Sequence, residues 1–280
     1  MEYTKIPDEL KRKIKPLEEL TLMDDYMFGA VMRDEGNLKP LLEYILKMKI
    51  RKIEFVEPQK TEKEGYRSRG IRLDLYVEDD EGAIYNVEVQ TTSYRHLPKR
   101  MRYYQSVIDI NILAPSVDYR NLRRSFVIFI CNYDPFEQER YIYTFENRCL
   151  EDLDLAFDDD TLKVIVNTKG SLGEISEELK EVLIYLDEGT ATGEYTKQLD
   201  EAVKLVKSSE ERRHEYMIMA LRDLEKIAEG EYTGKILGAV ETMRDFDLDD
   251  QAIIERIMKK YDLDRDEAEA YVLPKPAEAV

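Results

Sequence analysis

Apolar and polar residues alternate along Gly70-Ile71-Arg72-Leu73-Asp74-Leu75-Tyr76-Val77 and again along Tyr85-Asn86-Val87-Glu88-Val89-Gln90. A period of two puts successive side chains on opposite faces of an extended chain, so each segment predicts a strand. Ile71, Leu73, Leu75 and Val77 then share one face, with Arg72 and Asp74 on the other. Val87 and Val89 oppose Asn86, Glu88 and Gln90 in the same way. The connection Glu78-Asp79-Asp80-Glu81-Gly82 is short and acidic, so the two strands form a hairpin. It lacks the spaced ligands and terminal Glu of a calcium loop and reads as a solvated turn. Glu88 and Gln90 become neighbours on one face, and strand pairing can bring Asp74 close to them.

The remaining pattern supplies the frame. A short helix is predicted over 8–15, ended by Pro16. Asp24 or Asp25 caps a helix that runs to about Arg33, Gly36-Asn37 breaks it, and a second helix covers about 38–48. Strands are predicted at 53–56, 125–132, 141–146 and 162–167, the second of them apolar enough to be buried on both faces. A helix covers about 98–113 and stops before Pro115. Everything from Glu174 onward reads helical, with segments at 174–186 and 196–206 and a final pair at 249–261 and 264–271. Ala252, Ile253, Ile257 and Met258 recur at helical spacing there, followed by Leu263, Ala268 and Val272. Helix, strand, hairpin, helix, strand fits an α/β or α+β domain with a mixed sheet.

Charge changes this picture by its distribution. The chain of 280 residues has a net charge of -18, which argues against a nucleic-acid partner when taken whole. Residues 1–148, however, carry 25 Lys and Arg against 26 Asp and Glu, so the acidity belongs to the C-terminal part. Between Arg95 and Arg124 the balance reverses: Arg95, Lys99, Arg100, Arg102, Arg120, Arg123 and Arg124 oppose only Asp109 and Asp118. Such a patch suits backbone phosphates without reading bases, and equally suits a solvated helix face. Two histidines, His96 and His214, argue against a zinc site. Cys131 and Cys149 read as reduced thiols, with a single bridge as the other option. No apolar run reaches the length of a membrane span and no signal-peptide stretch opens the chain, so a cytoplasmic protein without membrane contact is expected.

Two carboxylates held together on a sheet repel each other unless a hard divalent cation lies between them, although polar residues on an outer strand face are also commonly just solvated. Acidic residues are depleted from strand interiors, which sets Asp74 and Glu88 apart. Asp74, thirteen intervening residues and then Glu88-Val89-Gln90 resembles the motif of the PD-(D/E)XK nuclease superfamily. More narrowly, the chain resembles the recombination-promoting nuclease family of bacteria, whose members are also named as transposases. Further segments carry that resemblance: Leu20-Thr21-Leu22-Met23-Asp24-Asp25-Tyr26-Met27-Phe28, Leu41-Leu42-Glu43-Tyr44-Ile45-Leu46, Lys99-Arg100-Met101-Arg102-Tyr103-Tyr104-Gln105-Ser106, and Val117-Asp118-Tyr119-Arg120-Asn121-Leu122 followed by Phe126-Val127-Ile128-Phe129-Ile130. It extends over about residues 20–190.

The resemblance implies a restriction-endonuclease-like αβββαβ core, with a mixed central sheet flanked by helices, at residues 20–170. An N-terminal arm at 1–19 precedes it, and an acidic helical region at 171–280 follows. It implies a metal-dependent DNA endonuclease connected with recombination or mobile elements. Mg²⁺ or Mn²⁺ would be held by Asp74, Glu88 and the carbonyl of Val89, and Asp74, Glu88 and Gln90 would be the catalytic set. The superfamily usually has Lys where Gln90 stands; an amide orients water but supplies no charge. Arg100 and Tyr104, four residues apart on one helix face, are assigned to the scissile phosphate and the DNA strand, with Lys99 and Arg102 beside them. Asp25 is an accessory carboxylate or a plain helix cap, and Glu43 a weaker candidate for the same role. Gln90 and the overall acidity also leave open a catalytically degenerate fold used as a DNA-binding or regulatory module. The acidic C-terminal helices suit protein contact, including self-association into a homo-oligomer.

Overall fold

The computed structural model describes residues 14–55, 75–93, 95–113 and 116–273. By its internal contacts the chain divides into one unit of residues 16–213 and another comprising residues 1–15 and 214–280.

The first unit holds a six-stranded mixed sheet: β1 (Ile53–Phe55), β2 (Leu75–Asp79), β3 (Ile84–Gln90), β4 (Ser125–Cys131), β5 (Ile142–Phe145) and β6 (Thr161–Asn167), in the order β1-β2-β3-β4-β6-β5. β1, β2 and β3 pair antiparallel, β3, β4 and β6 parallel, and β5 antiparallel to β6. The predicted hairpin is β2 and β3, with Leu75 opposite Val87 and Val77 opposite Tyr85. The part of its first strand predicted before Leu75, which includes Asp74, lies outside the described residues, as does most of the helix expected over 8–15. β3 and β4 are buried at every position, as parallel-paired central strands covered on both faces must be.

The helices explain that cover. α1 (Asp25–Met32) packs on β3, α2 (Glu35–Leu46) on β1, and α3 (Leu97–Ile112) on β4. On α3, Leu97, Met101, Tyr104 and Ile108 recur at steps of four, three and four, the inner stripe of a helix, and meet Val127, Phe129, Cys131 and Ile165 of the sheet. Burying each large apolar side chain contributes about 1.5–3 kcal/mol. The expected break at Gly36-Asn37 falls earlier, because Asp34 caps α2 by accepting from the Gly36 amide at 2.8 Å. Pro40 inside α2 has no N–H for the Gly36 carbonyl, which accepts instead from Gln198 Nε2 at 3.2 Å. Gln198 lies on α5 (Glu194–Ser208), which packs on α1, while α4 (Glu177–Glu188) packs on α2. These two helices, grouped by sequence with the acidic C-terminal region, thus make their contacts beside the sheet.

The hairpin turn differs from a solvated one. Asp79 is buried, and its carboxylate accepts from the amides of Glu81 at 3.0 Å and Ala83 at 2.8 Å and from the Tyr85 hydroxyl at 2.6 Å. Gly82 completes the turn at φ 84°, where a side chain would be strained.

α6 (Glu210–Asp245) crosses the division between the units. In the second unit, α7 (Asp250–Tyr261) and α8 (Arg265–Val272) form the predicted pair. Ile253, Ile254, Ile257, Ala268 and Val272 pack with Ile236 and Val240 of α6. Asp249 caps α7 through the Ala252 amide, and Asp264 with Glu267 forms a capping box on α8. Among the described residues no helix is long and apolar enough to cross a membrane.

Candidate functional site

The face of β3 that carries Asn86, Glu88 and Gln90 is roofed by α3. Polar residues that alternation alone would give to solvent are therefore interior: Glu88 is 1% exposed and Asn86 0%. A buried carboxylate needs partners, and the structure supplies them from both elements. Asn86 Nδ2 donates to Glu88 Oε1 at 2.9 Å, and the Tyr104 hydroxyl donates to Oε2 at 3.2 Å. Arg100 Nη2 stands 3.7 Å from the same Oε2.

Arg100 is the hub. Its Nη1 donates to Gln90 Oε1 and its Nη2 to the Tyr104 hydroxyl, the latter at 2.8 Å. The guanidinium also lies over the rings of Tyr104 and Phe129, 5.2 Å from each centroid. Tyr104 and Phe129 meet edge to face, which fixes the ring that carries the hydroxyl. Gln90 is held at its other end by Nε2 donating to the Thr92 carbonyl at 2.9 Å. Arg100 and Tyr104 meet because residues four apart share a helix face, and Glu88 and Gln90 because residues two apart share a strand face. The side chain of Arg100 keeps 30% exposure, so one edge of the cluster reaches solvent.

The other sequence candidates divide. Val89 points its side chain to the opposite, apolar face. Ile84 and Gln90 exchange main-chain bonds with the β4 side, through Arg124 O and Asn132 N. By the alternation of a strand, the odd-numbered Val89 carbonyl is directed to the β2 side. Lys99 and Arg102 are exposed on the outer face of α3, away from the cluster. Asp25 is exposed in the first turn of α1, after Asp24 at the cap position, whose carboxylate accepts from the amide of Thr21 at 2.6 Å. Glu43 is engaged elsewhere: it accepts from the Ile50 amide at 2.9 Å and pairs with Lys49 at 3.2 Å. Burial pushes its carboxyl up, but these bonds outweigh burial and hold it below the ordinary range. Asp74 lies outside the described residues.

Asn86 is the residue that sequence reasoning left without a role. It donates to both Glu88 and the Leu75 carbonyl, the latter at 3.2 Å, and so ties β2 to the carboxylate. Its position on the polar face, two residues before Glu88, was the available signal. Neighbouring Cys131 is buried and free, and burial pushes its thiol up to about 12, which makes it inert as a nucleophile.

A carboxylate and a main-chain carbonyl are hard oxygen donors of the kind Mg²⁺ prefers, so Glu88 and Val89 fit such an ion in chemistry. Among the described residues no group of three or more His, Cys, Asp and Glu is arranged to hold a metal. The guanidinium beside Glu88 and Gln90 gives this face a fixed positive charge reaching solvent, suited to a phosphate oxygen.

Residues 22–156, which include Asp74 and the whole cluster, match the family model described as PD-(D/E)XK nuclease family transposase. No curated protein and no solved structure matches the chain.

Proposed function

We propose, with that nuclease-transposase match over residues 22–156 as premise, that the chain is a metal-dependent DNA endonuclease of the cytoplasm, connected with recombination or mobile elements. The observation that carries the reading is the cluster in which Glu88, Gln90, Arg100 and Tyr104 are joined side chain to side chain beneath one helix. Asp74 adjoins Leu75 in the chain, and Leu75 is the strand partner of Val87, next to Glu88. In this reading Asp74, Glu88 and the Val89 carbonyl hold Mg²⁺ or Mn²⁺, and Asp25 is at most an accessory. When bound, the ion activates a water and offsets charge on the scissile phosphate.

The chain's own side chains do the rest. Asn86 and Tyr104 hold the Glu88 carboxylate in one orientation. Gln90 orients water through its amide, while Arg100, bonded to it, supplies the positive charge that an amide lacks. Lys99 and Arg102 contact DNA phosphates outside the cluster, setting position without reading sequence. One observation favours a second reading, a catalytically silent DNA-binding fold: Glu88 is already paired with Arg100, and Gln90 is uncharged.

Incubation with supercoiled plasmid separates the two. The endonuclease reading predicts nicking or linearisation with Mg²⁺ or Mn²⁺ and none with EDTA. Folded protein that binds DNA yet cuts it with neither metal supports the second reading instead.

A further inference from the structure

The connection between β5 and β6, residues 146–160, carries an exposed apolar surface on an ordered frame. Leu150 is 87% exposed, Leu153 67%, Leu155 58% and Phe157 73%. The loop is nonetheless built: Arg148 bridges Ala156 antiparallel, the Cys149 amide donates to Leu155 O at 3.1 Å, the Phe157 amide to Asn147 O at 2.9 Å, and Arg148 Nη1 to Leu153 O at 2.7 Å. An internally bonded loop that keeps four large apolar side chains in water is the signature of a docking element. Its charged residues are acidic but for one: Glu146, Glu151, Asp152, Asp154, Asp158, Asp159 and Asp160 accompany a single base, Arg148, which pairs with Glu146.

The same unit offers a surface of opposite character. A groove of about 500 Å³, lined by apolar Phe126, Ile142, Leu162 and Leu172, carries the bases Lys47, Arg124 and Arg140 against one acid, Glu174, in its wall. Both arginines are exposed, and neither has a carboxylate partner among the described residues. Its volume lies within the roughly 300–1,000 Å³ of pockets that seat small ligands, ample for leucine side chains. The loop is apolar with an acidic surround, and the groove is apolar with basic residues, so each complements the other in both respects.

We propose that a second copy of this chain occupies the groove, seating the apolar residues of its 146–160 loop against Phe126, Ile142 and Leu162 with its acidic residues facing Arg124 and Arg140. Loop and groove are neighbours, because β5 and β6 both bear the loop and contribute Ile142, Thr144, Leu162 and Val164 to the groove. A two-fold axis between them lets each copy give a loop and receive one, which closes the assembly as a dimer. This contact is independent of the catalytic reading and of the C-terminal helices.

Sedimentation velocity on the full-length protein tests it, with Leu150→Ser/Leu153→Ser and Arg140→Glu as variants. All three side chains are exposed, so the fold survives their replacement, and circular dichroism verifies this. The expected result is a wild-type dimer whose dissociation constant rises by about tenfold or more in either variant, and also rises with salt. A monomeric wild type, or a dimer indifferent to both variants, overturns the proposal.

Discussion

Arg100 donates through Nη1 to the side-chain oxygen of Gln90, so the helix roofing the sheet is tied to β3 beside the buried carboxylate of Glu88. In the proposed nuclease reading the two residues share the part of a single lysine, with a polar group near the strand end and a cation beside the carboxylate of Glu88. The forked guanidinium is what allows one residue to reach Gln90, Tyr104 and Glu88 at once.

Replacing Arg100 with methionine is therefore expected to slow single-turnover cleavage by about a hundredfold, the scale of losing one fixed electrostatic contact at a reacting phosphate. It also leaves the buried Glu88 carboxylate without the positive charge 3.7 Å away, which lowers stability by about 1–3 kcal/mol in urea unfolding. Arg100→Lys retains charge without the fork and should fall between. An unchanged cleavage rate in Arg100→Met would remove Arg100 from the account.

Asp79 closes the hairpin with three bonds to one buried carboxylate. Asp79→Ala strands two amides and the Tyr85 hydroxyl, and is expected to lower stability by about 1–3 kcal/mol. Asp79→Asn, which keeps an acceptor, should lose less. Urea denaturation of both variants checks the order.

The hairpin was legible because a period of two is written directly into Val87, Glu88, Val89 and Gln90, and the faces follow from it. What lies over a face is not written there. Nothing local to Glu88 shows that α3 covers it, so alternation alone left a solvated face and a functional one both open, and only the structure shows it interior. The meeting of Arg100 with Tyr104 on α3, by contrast, was visible as a spacing of four. The acidic tip misled for a related reason: Asp79 is engaged by amides two and four residues on, and such a turn looks like any solvated cluster of acids. At α2, the capping action of Asp34 outweighed the breaking tendency of Gly36. The order of strands and helices through α5 was readable from long apolar patterns, whereas α6 was read only as part of one continuous helical stretch.

Lys99 and Arg102 face outward on α3, where they can meet phosphates but not the buried carboxylate. Alanine at either is expected to weaken DNA binding to a similar extent on unrelated sequences, and to reduce the slope of log K against log salt by about 1 each. Fluorescence anisotropy titrations at several salt concentrations measure this. A loss confined to one DNA sequence would contradict the backbone-contact assignment.

Burial pushes the Cys131 thiol up to about 12 in the folded protein. Against an unfolded value of about 8.5, this contributes stability that is complete below pH 8.5 and is lost as pH rises toward 12. Cys131→Ala should flatten that alkaline decline. In a thiol-labelling experiment on native protein, the partly exposed Cys149 should react first and Cys131 only after unfolding.

The central claim, a metal-dependent nuclease site on the β2–β3 hairpin, is tested most directly by the cleavage rate of supercoiled DNA by Asp74→Ala beside wild type, with Mn²⁺ and matched circular dichroism. The account predicts that the wild type cuts, that EDTA stops it, and that Asp74→Ala is inactive while folded. A folded Asp74→Ala variant that cuts at the wild-type rate would contradict it.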